Sequence, residues 1–178
     1  MCHKYVPGMR MFDFTYDTPW LTGRRFYEQA GGRKCILMFL RYIGCSTCNL
    51  EMLTLRRDYM RFQAKKVKLF VVLQSEPATL REYGDENFFP FEIICDPAQT
   101  LYHRCAVGSN PHPEKRSERL EQKLSEARSL GIQHGRYEGN EAQLPATFIL
   151  DEHQNILYAK YGIDSVDIPE HADLLRLV

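Results

Sequence analysis

An almost unbroken apolar run, Lys34-Cys35-Ile36-Leu37-Met38-Phe39-Leu40-Arg41-Tyr42, leads directly into a close pair of cysteines in Gly44-Cys45-Ser46-Thr47-Cys48. The run lacks the apolar–polar alternation of a half-buried strand, so it reads as a strand covered on both faces within a parallel sheet. Burial on both faces calls for helices packed on both sides, which places the chain among α/β proteins. From Cys48 to about residue 65, Leu50, Leu53, Met60 and Phe62 recur at helical spacing between charged and polar residues. The cysteine pair therefore sits where a buried strand turns into a helix.

The remaining elements alternate in the same way. Phe12, Phe14 and Tyr16 alternate with Asp13, Thr15 and Asp17, which predicts a half-buried strand ended by Pro19, and residues 23–30 suit a short helix closed by Gly31 and Gly32. Residues 68–74 read as a second buried strand, Pro77 opens a helix through Tyr83, residues 91–95 form a third strand, and residues 99–106 another short helix. Residues 146–151 and 155–161 are two strands joined by a turn-rich connection, and residues 169–178 a closing helix. This order describes a central mixed sheet flanked by helices with a C-terminal hairpin. A single domain over residues 1–178 is expected, with residues 1–10 as an N-terminal tail and residues 107–143 as a helical insertion. Within that insertion Leu120, Leu124, Ala127 and Leu130 make one thin stripe in a charged helix over 114–130, stopped by Gly131. Three roles fit it: a solvated cover for one sheet face, a dimer contact, or a lid over the functional site.

Lys plus Arg and Asp plus Glu both number 23 in 178 residues, a formal net charge of zero. The balance removes the electrostatic footprint of a nucleic-acid binder and permits self-association, including a homodimer. No stretch approaches the roughly 18 consecutive apolar residues of a membrane span. The N-terminal residues lack the apolar core of a secretory signal, so a cytoplasmic location is expected. Of the six cysteines, Cys35 and Cys95 lie in apolar strand runs and read as buried small hydrophobes, and Cys2 lies near the terminus. Only Cys45 and Cys48 are close together, which in a reducing compartment points to catalysis or metal binding.

A cysteine at a strand-to-helix turn faces backbone N–H groups and the positive end of the helix dipole, and both lower its pKa. Cys45 is the outer residue and the expected nucleophile. Cys48, one turn further along, is placed to attack a mixed disulfide or sulfenic acid on Cys45. A structural zinc site needs further ligands, and the nearest pair, His103 and Cys105, belongs to another element. No metal or organic cofactor is expected. His103 reads as an exposed helix residue, Cys105 as a packed helix residue or an alternative resolving thiol, and Trp20 as packing where the first strand ends. Leu144 and Pro145 precede a strand. Pro145 is tolerated there because the first strand residue need not donate to the ladder, or it forms a cis bond facing the cysteines and offers backbone groups to a docked substrate.

Three segments carry a resemblance: residues 39–48, residues 95–102 (Cys95-Asp96-Pro97-Ala98-Gln99-Thr100-Leu101-Tyr102), and residues 144–151 with 156–162. Together they resemble the thioredoxin-like superfamily, most closely the redoxin branch of alkyl hydroperoxide reductase and thiol-specific antioxidant proteins. The resemblance implies a thioredoxin-like fold from about Phe12 to the C-terminus, a redox centre at Cys45 and Cys48, and a cis-proline at Pro145.

The sequence departs from both neighbouring patterns. Thioredoxins carry a tryptophan before the first cysteine, where this chain has Gly44. Peroxiredoxins carry a proline and a threonine seven and three residues before the peroxidatic cysteine. Those positions hold Met38 and Tyr42 relative to Cys45, and Arg41 and Cys45 relative to Cys48. Peroxide reduction needs hydrogen bonds prepared for both oxygens; Thr47 and Arg41 are the candidates to supply them. The leading expectation is therefore a thiol–disulfide oxidoreductase restored by an external thioredoxin- or glutaredoxin-like reductant. The alternatives are a thiol peroxidase acting on hydrogen peroxide or alkyl hydroperoxides, and a non-catalytic binding module.

Overall fold

The computed structural model describes residues 4–110 and 117–178. In chain order the elements are β1 (Thr15–Tyr16), β2 (Arg24–Arg25), α1 (Phe26–Ala30), β3 (Cys35–Phe39), α2 (Ser46–Ala64), β4 (Lys68–Leu73) and α3 (Pro77–Arg81). They continue with β5 (Glu92–Cys95), α4 (Thr100–Arg104), α5 (Glu118–Ser129), β6 (Ala146–Leu150), β7 (Ile156–Tyr161) and α6 (His171–Leu177). Five strands form the central sheet in the order β5-β4-β3-β6-β7. β3 runs parallel to β4 and antiparallel to β6, and the β6–β7 hairpin closes the antiparallel end. This is the mixed sheet that the strand order and the resemblance imply, with α5 placed before the hairpin.

The sheet separates two apolar layers. Ile36, Met38, Val71 and Ile149 point to the side covered by α2 and α6, where Met52, Leu55, Phe62, Leu174 and Leu175 meet them. Leu37, Phe39, Phe70 and Phe148 point to the other side, against Phe26 of α1 and Leu101 and Tyr102 of α4. Phe26 shows how that second layer is held: its ring stacks on Phe14 at 4.6 Å and meets Phe70 edge-on at 5.0 Å. Burying each such ring contributes about 1.5–3 kcal/mol.

Three local expectations change. The strand expected over residues 12–17 is only Thr15–Tyr16, paired with Arg24–Arg25. Phe14 and Tyr16 are buried as the alternation implies, but among the described residues the pairing goes no further than β2 and a single bridge from Asp17 to Cys95. Just upstream, the chain turns to the hairpin, where the Met11 N–H donates to the Gln154 carbonyl at 2.9 Å and the Ile156 N–H to Met9 at 2.8 Å. In α2 the buried stripe runs through Cys48, Met52, Leu55 and Phe62, while Met60 faces solvent. Trp20, expected to pack at the end of the first strand, is 41% exposed. It lies on the rim of a cleft shared with Phe88 and Phe89.

Candidate active site

The apolar register of β3 fixes where the chain leaves the sheet. Beyond Phe39, the Tyr102 hydroxyl donates to the Leu40 carbonyl at 2.6 Å and to Val72 at 3.0 Å, and the Gln74 N–H donates to the Arg41 carbonyl at 2.7 Å. Asp96 supports this clamp by accepting from the backbone N–H groups of Thr100 and Leu101 at the start of α4. Residues 95–102 thus position the end of β3 from the far side of the sheet.

Cys45 is the N-cap of the 19-residue α2, in extended conformation, so its side chain projects at the positive end of that helix. Its Sγ accepts from Arg41 Nη2 at 2.9 Å and lies 3.3 Å from Thr47 Oγ1. The thiol is pulled down to about 5 from an ordinary value of 9.0. The Cys48 thiol, hydrogen-bonded to the Cys45 sulfur, is the largest cause; burial opposes it, and the Arg41 charge and Thr47 hydroxyl add to it. Cys48 moves the other way, well above its ordinary value, through that same bond and complete burial. One sulfur is therefore held as a thiolate and the other as a thiol at neutral pH.

Arg41 is held in place from a second direction: Nη1 donates to the Glu141 carbonyl at 2.8 Å. Its Nε is buried and has no partner among the described residues. Cys45, 2% exposed, lies at a cavity of about 490 Å³ whose lining includes Arg41, Thr47, Leu120, Leu124, Tyr137 and Leu144. Arg41, Cys45, Thr47 and Leu144 therefore come together as the sequence suggests. Pro145 does not join them. No cis peptide occurs among the described residues, so the Leu144–Pro145 bond is trans, a correction to the cis-proline expectation. The Leu144 N–H is engaged by Gly108 and the Pro145 carbonyl by Gly162, while the ring lies where a Cβ on Gly162 would project, toward β7.

The sequence offers the 107–143 insertion as a lid but does not single out which of its residues cover the site. Residues 132–143 return from α5 across the end of β3, and the Gly135 N–H donates to the Gly44 carbonyl at 2.7 Å. A Cβ on Gly44 would sit 2.2 Å from the Arg136 carbonyl oxygen. Glycine stands before Cys45 because another backbone occupies the space a side chain would need. His134 stacks on Tyr137 at 4.2 Å and lies 3.0 Å from the Tyr42 hydroxyl. Asn140 and Glu138 tie the strap to Gln74 and the Glu76 N–H. No periodicity marks these residues in the sequence. Gly44→Ala is expected to displace the strap at a cost of about 1–3 kcal/mol. Hydrogen exchange at the Gly135 amide, accelerated while the central strands stay protected, is the measurement that checks it.

The other cysteines are set apart. Burial pushes Cys35 and Cys95 up to about 12. Cys105 packs in the layer on the opposite side of the sheet from Cys45, so it is not a resolving thiol. Cys2 lies outside the described residues. His103 is exposed. Among the described residues no group of His, Cys, Asp and Glu is arranged to hold a metal ion, and no helix is long and apolar enough to cross a membrane.

A thioredoxin-like domain that keeps one cysteine ionised beside a protonated partner is a thiol-dependent oxidoreductase. More narrowly, the chain belongs to the AhpC/TSA family, whose profile matches residues 7–159. Solved structures agree on the fold. The peroxidoxin BcpB from Mycobacterium tuberculosis superposes with a TM-score of 0.70 at 17% identity, covering 98% of this chain and 96% of that one. A peroxiredoxin 6 of Arenicola marina gives 0.72 at 15% identity, covering 97% and 71%. A thiol peroxidase from Chromobacterium violaceum gives 0.68 at 12% identity, covering 99% and 88%. No curated protein sequence matches significantly.

Proposed function

We propose that this protein is a thiol peroxidase. The observation that carries the reading is the convergence of Arg41 Nη2 and Thr47 Oγ1 on the Cys45 sulfur, with Arg41 Nε buried beside them and without a partner among the described residues. A low pKa alone gives a thiolate, whereas donors around the sulfur also supply hydrogen bonds as charge passes across the O–O bond. The Cys45 thiolate attacks the terminal peroxide oxygen; an S–O bond forms, the O–O bond breaks, and its electron pair leaves on the distal oxygen, which takes a proton. Cys45 becomes a sulfenic acid. Cys48 then attacks that sulfur, forming the Cys45–Cys48 disulfide and releasing water. An external thiol reductant, thioredoxin- or glutaredoxin-like, restores the pair.

Dithiol–disulfide exchange as the main activity fits less well, because it makes no use of the donors gathered at the Cys45 sulfur. A non-catalytic module has no use for opposed shifts in two adjacent thiols. The test is the second-order rate of Cys45 oxidation in the reduced protein, expected at least about hundredfold above a free cysteine; equality with free cysteine overturns the peroxidase reading. In Cys48→Ser the first oxidation is expected to persist and stop at a species one oxygen heavier, trapped by a dimedone-type reagent. The wild type should instead end two hydrogens lighter, both read by mass spectrometry.

A further inference from the structure

We infer that the cleft between the β1–β2 turn and residues 84–93 is a second binding site, one that takes the trimethylammonium group of a small organic cation. It stands apart from the cysteines. Its lining shares no residue with that of the cavity at Cys45, and the inference does not depend on the peroxidase reading.

The cleft opens where the chain after β1 breaks away from β5, the edge strand of the sheet. Asp17 still bridges to Cys95, whose N–H donates to the Asp17 carbonyl at 2.8 Å. The next residue turns back: the Thr18 N–H donates to the Leu21 carbonyl at 2.8 Å, and the Leu21 N–H to Thr18 Oγ1 at 2.9 Å. Trp20, at the tip of that turn, lines a cleft of about 210 Å³ together with Phe88, Phe89 and Phe91. The volume lies below the roughly 300–1,000 Å³ that encloses larger ligands and suits one small headgroup. Both walls are fixed. Arg81 donates to the Pro19 carbonyl at 2.5 Å, and the Phe88 side chain packs so close to Gly84 that a Cβ there would sit 2.6 Å from it.

Two features select a cation. The first is the rings. Phe88 and Phe89 meet at 88° with centroids 4.8 Å apart, and Phe89 lies 5.6 Å from Phe91, so the three form a corner of aromatic surface. Ring faces carry partial negative charge and attract cations. Arg56, outside the lining, already holds its guanidinium 4.1 Å from the Phe88 centroid. The second is charge. The lining carries three carboxylates, Asp85, Glu86 and Glu92, against one cation, Arg24. Arg24 Nε is bound to Glu92 at 2.6 Å, and the same carboxylate oxygen accepts from Tyr16. Asp85 and Glu86, both exposed, have no ion-pair partner among the described residues and leave the cleft net negative. Methylation matters because a primary ammonium pressed against hydrocarbon rings strands its N–H donors, whereas a trimethylammonium has none to strand.

Trp20 is the only tryptophan in the chain, so its fluorescence reports the cleft directly. Titration of the reduced protein with choline, against matched sodium chloride, is expected to change that emission saturably in the millimolar range. The neutral isostere of choline, with carbon in place of nitrogen, should bind at least about tenfold more weakly, the scale of a desolvated cation–π contact. Phe89→Leu and, at the exposed rim, Glu86→Gln are each expected to weaken choline binding several-fold. The rate of Cys45 oxidation by peroxide should stay at the wild-type value in both, which shows that they are folded. Equal affinity for choline and its neutral isostere overturns the inference, as does unchanged choline affinity in both variants. Absence of a saturable change with choline overturns it too, and co-sedimentation with phosphatidylcholine vesicles in that case would assign the cleft to a membrane headgroup instead of a small ligand.

Discussion

Arg41→Met is expected to slow oxidation of Cys45 by peroxide by about two to three orders of magnitude, the loss found when one prepared donor is removed from a charge-developing transition state. Two contributions separate by pH. The thiolate is already dominant at neutrality, because Cys45 sits at about 5. Arg41 is one cause of that value, behind the hydrogen bond from Cys48, so its removal raises the pKa without restoring an ordinary thiol. Above about pH 9 the variant thiol is again mostly ionised, and the loss that persists there belongs to the transition state. Arg41→Lys sharpens the test. A single ammonium keeps the charge but does not reproduce a fork that spans the Cys45 sulfur and the Glu141 carbonyl, at 2.9 and 2.8 Å. It should recover much of the pKa shift, read from the pH dependence of alkylation, and little of the rate. A methionine variant within about threefold of wild type in alkaline solution would leave Arg41 as a charge that sets the thiol and nothing more.

Much of this centre is legible along the chain because local patterns encode it. The unbroken run over residues 34–42 specifies β3, and its abrupt passage into the helix of α2 puts Cys45 at an N-terminus. Arg41 and Thr47 can be nominated from their distance to Cys45 alone. What escapes is set by segments with no pattern of their own. The strap over residues 132–143 is polar and aperiodic, so its crossing above Gly44 shows only once Gly135 and Gly44 meet. Gly44 first reads as a missing tryptophan, yet it is the condition for that crossing. The resemblance implies a cis Pro145 facing the cysteines, whereas the Leu144–Pro145 bond is trans, with Leu144 bonded to Gly108 and Pro145 to Gly162. Phe12, Phe14 and Tyr16 alternate as a strand does, but alternation reports which side is buried and says nothing about a partner for the ladder. Glu51 and Asp58 look like ordinary charges on the outer face of α2. Their role depends on a histidine more than a hundred residues later.

That histidine sets the second large effect: His171→Ala is expected to destabilise the fold by about 3–5 kcal/mol, the cost of stranding buried charge without its partner. His171 Nδ1 lies 2.7 Å from Asp58 Oδ2 and Nε2 lies 2.8 Å from Glu51 Oε1, all three residues being buried. The cluster fastens α6 to α2, the helix that Cys45 caps and that contains Cys48, and the Phe62 ring lies 5.8 Å from the imidazole. Burial would lower the His171 pKa, but the bonds and charges of Glu51 and Asp58 outweigh it and raise it above 6.5. A raised folded pKa contributes stability that is complete below the unfolded value and is lost as pH rises through the folded one. Asp58 is held below its ordinary value, first by Arg57 and then by His171, although burial opposes both; its contribution is lost only as pH falls through that depressed value. The wild type should therefore lose stability on the alkaline side of the histidine range while His171→Ala, lacking the imidazolium, lacks that slope. Urea unfolding at a series of pH values measures both curves. Parallel curves would mean that the imidazole is neutral in the folded protein, and that α6 is held to α2 by apolar packing and neutral hydrogen bonds instead of by charge.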